Sequence, residues 1–543
     1  MAELVTVHDP RGFPPTVAAK PLAARLEGLD GKRVYLVDCL FDNSDVFMVE
    51  LQRWFGEQLP AVETRVARPR ESWVDDPELR AAIVADGDAA VLGVGVCSTC
   101  SPTVVGLAMA LEEGGVPTVA LHTDTFARLA RSVARVNGMP TTRQAFVPQP
   151  LVGRSADELR GYIHGPDPID GRPFARVMLE ALTRPLDDAD ASGAGFDRST
   201  PRLLEPDTED GLRRRFEDER WTDFLPIVLP TEERVEAMLA GTSHDRDEVV
   251  GTLRPTQYRE AWEFTVEKVA VNAVMAGARP AYLPVILALA ASGVTARHSS
   301  TTSYAAMAVV NGPIRTELGM NSGIGATGPY DHASATIGRA FGLLSQNLQG
   351  GSVPGETYMG SQGNPLAYSH VFAENEERSP WPSFGVQHGF DASQSCVSAF
   401  LGGWYTLGGT GLRDGSWRET LRRSLHGCDA SLGPALLLDP LVADSLVRRG
   451  LATKEQLIDL LAEESRIPAR DYWDNQWNQT LARPRAVAGI EPFASHLAAA
   501  PDDLVQPYRA EDIHVIVVGG ETTPTWRMTA AWYGGTVSVD AWR

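Results

Sequence analysis

Between Arg33 and about Arg184 the chain alternates short apolar runs with segments of helical spacing. Val34–Val37, Ala89–Val96, Val116–Leu121 and Gln144–Val147 read as buried strands; Asp45–Phe55, Pro77–Val84, Pro102–Glu112, Thr125–Val136 and Ser155–Ile163 read as helices. Ser155 and Glu158 have the spacing of a reciprocal helix cap. A strand that must pair in parallel with its predecessor needs a crossover, and a helix is the usual one. The pattern therefore predicts an N-terminal α/β domain, a doubly wound parallel sheet spanning residues 1–185. Residues 186–225 include DDADASGAG and EPDTEDGLRRRFEDER, a composition expected of an acidic linker with one charged helix. Residues 226–543 are expected to form a larger C-terminal α/β or α+β domain. Glu232–Ala240, Phe264–Ala276 and Lys454–Glu464 are its predicted helices, and His514–Val518 a predicted strand. Its stretch from Ala296 to Gly389 is dense in Gly, Asn, Ser and Pro but interspersed with apolar residues, the pattern of ordered loops around a site.

With 49 basic and 70 acidic side chains the chain carries a formal charge of −21. That argues against nucleic-acid binding, which needs a basic face, and against docking on an anionic membrane. The lysines are Lys20, Lys32, Lys268 and Lys454 alone, so Schiff-base chemistry has few candidates. Lys268, amid Val266, Val269 and Val271, is expected to snorkel to the surface. The apolar run Pro284–Ala291 is too short to span a bilayer. Five cysteines in so long a chain do not make a disulfide scaffold. A cytoplasmic protein with reduced thiols is the expectation.

Cys97-Ser98-Thr99-Cys100 stands directly after a predicted buried strand and before a predicted helix. In an open α/β sheet the carboxyl ends of the strands are where ligands bind. The N–H groups and positive dipole end of the following helix lower the pKa of a thiol there, and the thiolate is the reactive form. A second cysteine three residues on can resolve an adduct or close a disulfide. The alternative reading is a pair of small core residues. A structural zinc site would need four ligands, and Cys39, Cys396 and Cys428 are lone and widely spaced.

The segment, with Gly93 and Gly95 before it, resembles the UGSC-type family, whose members carry selenocysteine or cysteine at the first position of the motif. Gly115–Asp124 (GVPTVALHTD), Phe126 and Val147-Pro148-Gln149-Pro150 are also similar to that family's pattern. The resemblance covers roughly residues 30–185. Here Ser98-Thr99 stands where Gly-Ser is usual, and Cys97 replaces selenocysteine. A relation to the selenoprotein B component of glycine and betaine reductases is implied, and with it reactive-thiol chemistry at Cys97.

Several other residues are candidates for the same site. His122 and Asp124 end the strand after the Cys97 helix and have the chemistry of a base and its orienting carboxylate. Their alternative roles are a satisfied buried histidine and a helix cap. Cys39, at the end of the first strand, is expected to face the same crevice. His298, Arg315, Asn321 and His332, in the glycine-rich stretch, are expected to bind substrate, at least one of them beside Cys97. His370 and Glu374 are weak metal candidates: four residues apart, they would share a helix face, with His298, His332 or His388 completing the set. No cofactor is required by the sequence. The expected enzyme is a thiol-based oxidoreductase of a small, carboxylate-bearing molecule. It would use Cys97 and Cys100, be served by a thioredoxin-like reductant, and form a homo-oligomer. A non-redox lyase, hydratase or isomerase using Cys97 as nucleophile or base, and a thiol carrier in a multi-protein system, are the alternatives.

Overall fold

The computed structural model describes residues 3–195, 199–253, 262–348, 353–355, 358–368, 370–412 and 415–543. Five parallel strands form the first sheet: β1 (Arg33–Asp38), β2 (Glu63–Ala67), β3 (Ala89–Gly95), β4 (Thr118–Thr123) and β5 (Gln144–Val147). Their order is β2-β1-β3-β4-β5, which puts a topological switch point between β1 and β3. Helices α1 (Ser44–Gln58), α2 (Pro77–Asp86), α3 (Cys100–Glu113), α4 (Ala127–Val136), α5 (Ala156–His164) and α6 (Phe174–Thr183) cover it. β3 and β4 are buried along their whole length, as strands covered on both faces must be. The Ser155–Glu158 reciprocal cap opens α5. β2 and α6 have no counterpart in the sequence reading: β2 (ETRVA) is a polar edge strand without an apolar run to announce it.

Residues 186–225 do more than link. α7 (Asp188–Ser192) is tied back to the first domain, where Asp190 pairs with Arg143. α8 (Glu209–Asp218) buries Leu212 and Phe216. These two join Leu204 and Trp221 in the large core of the second unit. The charged face of α8 hid this apolar stripe. The N-terminal arm also leaves the first domain: Val7 lies in the same second core, and Val5, Val7 and Phe13 bridge to Asp207, Thr231 and Glu263. Arg25 forms a buried bidentate pair with Glu112 of α3, whose carboxylate also takes the N–H groups of Ala23 and Thr118.

In the second unit β6 (Val249–Leu253) pairs with β7 (Trp262–Thr265). A mixed six-stranded sheet contains β8 (Ala305–Asn311), β9 (Val371–Ala373), β10 (Cys396–Thr410), β11 (Pro434–Leu438) and two strands near the C-terminus. β12 (Ile467–Pro468) and β13 (Leu504–Val505) make a small ribbon; β14 (His514–Val517) and β15 (Thr525–Ser538) complete the six, in the order β14-β11-β15-β10-β8-β9. Both units are therefore α/β. The glycine-rich stretch holds β8, β9 and a helix over His332–Asn347. Lys268 is buried rather than snorkelling: the N-terminal arm closes over it, its ammonium donates to the Asp9 carbonyl at 2.8 Å, and it lies 5.1 Å from the Phe13 ring centre. No helix among the described residues is long and apolar enough to cross a membrane.

Candidate functional site

The thiol pair sits at the carboxyl end of β3, one of the two strands that flank the switch point. β3 delivers Cys97, and α3 begins at Cys100. The residue before α3, Thr99, makes no side-chain cap. The sulfur of Cys97 takes that place: it accepts the Cys100 N–H at 3.0 Å and lies 3.2 Å from the Thr99 hydroxyl. A sulfur at this point faces unpaired N–H groups and the positive end of the helix, an arrangement that stabilises a thiolate. One helical turn brings the two cysteines together with Cα atoms 4.9 Å apart, and they are joined as a disulfide. Cys97 is 8% exposed and Cys100 1%.

The two glycines of β3 have a packing reason. A Cβ at Gly93 would lie 2.8 Å from the Cβ of Leu121, and one at Gly95 would overlap the His122 ring and Ser101. His122 is thus pressed against the back of the thiol loop. It is fully buried, neither ring nitrogen has a hydrogen-bond partner, and burial lowers its pKa to about 3. It is a neutral imidazole at physiological pH. Asp124 does not orient it. That carboxylate accepts the N–H groups of Thr125 and Gln149, the role of a local cap. Cys39 follows β1, and its N–H donates to the Gly93 carbonyl of the neighbouring strand. Burial, then the nearby Asp38, raises its thiol pKa, so it stays protonated.

The second unit covers the thiol loop through the segment next to His298. The Ser98 hydroxyl donates to the Ser299 carbonyl at 3.2 Å, and the Ser299 hydroxyl accepts the Met359 N–H. Met359 packs on the cluster that includes Val105 and Met109 of α3. His298 itself is half-buried; burial lowers its pKa to about 4, and its Nδ1 has no partner. Arg297 beside it donates to the Ala367 carbonyl and to Gln346.

The other residues expected at this site are engaged in structure. Arg315 is held by the carboxylates of Glu376 and Glu377 and by the carbonyls of Gly312 and Glu374, which leaves its charge satisfied within the protein. Asn321 closes a turn, donating to the Ile324 carbonyl and accepting the Gly323 N–H. His332 is exposed at the start of its helix, 5.8 Å ring to ring from Tyr282. His370 and Glu374 do not share a helix face: they flank the short strand β9, because pairing with β8 extends this segment. Glu374 is fully buried, accepts from Asn311 and the Phe384 N–H, and pairs with the fully buried Lys454 at 3.5 Å. No group of three or more His, Cys, Asp or Glu able to hold a metal occurs among the described residues.

Of the two residues that make the cover, the sequence marks Ser299 only as a member of the polar run 297–300 and gives no sign of Met359. No local pattern marks a serine or methionine whose importance comes from a neighbour in another domain. Thr99 was legible only as part of the motif.

The UGSC family model matches residues 6–164, which include the parallel sheet, the thiol loop and α5. No curated protein and no solved structure matches the chain. The N-terminal part of this chain, its thiol loop included, is similar to the UGSC family.

Proposed function

We propose that the protein is a thiol-dependent oxidoreductase of a small organic substrate, with Cys97 as the attacking thiolate and Cys100 as the resolving thiol. The observation that supports this reading most is the Cys97 sulfur receiving the Cys100 N–H at the start of α3, within bonding reach of the Cys100 sulfur. In the reduced state the Cys97 thiolate attacks the oxidised atom of the substrate. A new bond to sulfur forms, and the displaced electron pair on the substrate takes a proton. The Cys100 thiol then loses its proton and attacks the Cys97 sulfur. The disulfide forms, the bond to substrate breaks, and that electron pair returns to the substrate with a second proton. Two electrons and two protons pass to the substrate, and a dithiol reductant of the thioredoxin type restores the pair. His122, neutral behind the loop and held by burial far below neutral pH, does not serve as the base, so these protons exchange with solvent or substrate. Arg297, which makes no carboxylate salt bridge among the described residues and adjoins the cover at His298, supports a carboxylate-bearing substrate.

The test is a redox titration of the full chain in dithiol buffers, counting alkylated thiols by mass. Two thiols, at Cys97 and Cys100, are expected to appear together while the circular dichroism spectrum stays native. Reduction only on unfolding would make the pair a structural staple and overturn the reading. Cys100→Ser is expected to accumulate a mixed disulfide between Cys97 and a small disulfide probe. Its turnover unimpaired would move Cys97 to non-redox nucleophilic chemistry.

A further inference from the structure

Two strands along the first sheet from the strand that carries the thiol loop, beside the edge strand β5, lies a cavity of about 760 Å³. α4, the segment leading into β5, and α6 wall it. α4 presents Arg128, Arg131 and Arg135 at three- and four-residue spacing, hence on one face. Arg184, at the end of α6, faces them across the opening. The acidic residues of the same lining are already engaged. Asp170 is held by Arg172 at 2.5 and 2.9 Å, Glu180 by Arg172 and Arg176, and Asp190 by Arg143. Asp187 accepts the Asp190 N–H. Arg131, Arg135 and Arg184 make no ion pair among the described residues.

Three guanidinium groups converging on one concavity, in a chain of net charge −21, repel one another and produce a local positive field against the sign of the whole molecule. Deeper in the same wall, the Thr141 hydroxyl and the Arg143 Nε are buried with no hydrogen-bond partner. Both are donors, and a buried donor left unmade costs free energy that an anionic oxygen would recover. The rest of the floor is apolar: Pro140, Val177, Ala181 and the buried Phe146, over whose ring the Arg131 guanidinium sits at 5.5 Å. The volume falls in the range of small-molecule sites.

We propose that this groove binds a small organic polyphosphate of the nucleoside diphosphate class. Its phosphates are clamped by Arg131, Arg135 and Arg184, and its organic body rests on the apolar floor. Arginine suits the role because its planar fork pairs bidentately with phosphate oxygens. The proposal is independent of the thiol chemistry, because no residue of the thiol loop lines the groove.

Calorimetric titration of the full chain with adenosine diphosphate, inorganic pyrophosphate and heparin tests it. Adenosine diphosphate is expected to bind saturably, more weakly as salt rises. The double variant Arg131→Glu/Arg135→Glu, on exposed positions, is expected to weaken binding by at least about tenfold, roughly 1.4 kcal/mol, with an unchanged melting temperature in the absence of ligand. Cys97→Ser is expected to bind as the parent does, so failure here and failure of the thiol reading are distinguishable. No saturable binding by about 10 mM adenosine diphosphate, weaker than any useful small-ligand affinity, would overturn the proposal, as would undiminished binding by the double variant. Pyrophosphate binding as tightly as adenosine diphosphate would overturn its organic half. Heparin binding far more tightly than either would replace the small ligand with a macromolecular polyanion.

Discussion

Cys39, Cys396 and Cys428 are all buried, and burial pushes the thiols of Cys396 and Cys428 up to about 12. Cys97 differs in having a helix N–H on its sulfur. After reduction by a dithiol at neutral pH, iodoacetamide is therefore expected to modify Cys97 roughly a hundredfold faster than those three. Peptide mass mapping against time checks this, and equal rates would remove the thiolate reading. His122 gives a second expectation. Its folded pKa is about 3, against about 6.5 for the unfolded chain. Between those values the unfolded state binds a proton that the folded state refuses, so stability falls as pH drops from about 6.5 towards 3. Compared with His122→Gln, the parent is expected to lose roughly 3 kcal/mol by pH 4, read from urea unfolding at each pH. A parallel pH dependence of the two proteins would show that this imidazole is not held neutral.

The helix over Val266–Met275 is buried on every side, and the N-terminal arm is the element that closes it. Its Lys268 is lowered to about 8, chiefly by burial, with Asp9 opposing the shift. Below pH 8 both folded and unfolded chains carry the charge, and the folded state bears its burial cost in full. Between about 8 and 10.5 the folded state has released a proton that the unfolded state keeps, so the lysine's destabilising contribution fades as pH rises. Relative to Lys268→Met, the parent is expected to gain stability from pH 8 to pH 10 by roughly 2 to 3 kcal/mol. Denaturation midpoints at the two pH values measure it. No relative gain would mean that water reaches the ammonium. The element also shows where the sequence misleads. A lone lysine among valines looks like a surface residue, and the arm that buries it lies some 260 positions earlier in the chain.

At the scale of the whole molecule, the second unit decides access to the thiols. Ser299 and Met359 lie on the thiol loop and on α3, so a reductant larger than a small dithiol meets this cover first. Met359→Asp places a charge against the apolar cluster of α3 and α4 and is expected to lift the cover. Reduction of the Cys97–Cys100 pair by a phosphine reductant is then expected to quicken by at least about tenfold, the equivalent of 1.4 kcal/mol of opening. An unchanged rate with a native spectrum would mean that the cover does not limit access.

The alternation of apolar runs with helical spacing determined the first domain, because a buried parallel strand must be apolar throughout and its crossover helix amphipathic. The same local logic marked the thiol loop: a strand end, two cysteines one turn apart and a helix start are all sequential neighbours. The six-stranded sheet of the second unit was not legible beyond the strand at His514. β10 and β15 draw their stability from pairing across more than a hundred residues, and the glycines within them mask their strand character. Tertiary structure alone decided that Arg315 and Glu374 serve the interior. Buried charges must find partners, and those partners, Glu376, Glu377 and Lys454, are chosen by packing. It alone set Ser299 over the thiols and left His122 without a hydrogen bond behind them, since both depend on which surfaces two separately written segments bring face to face.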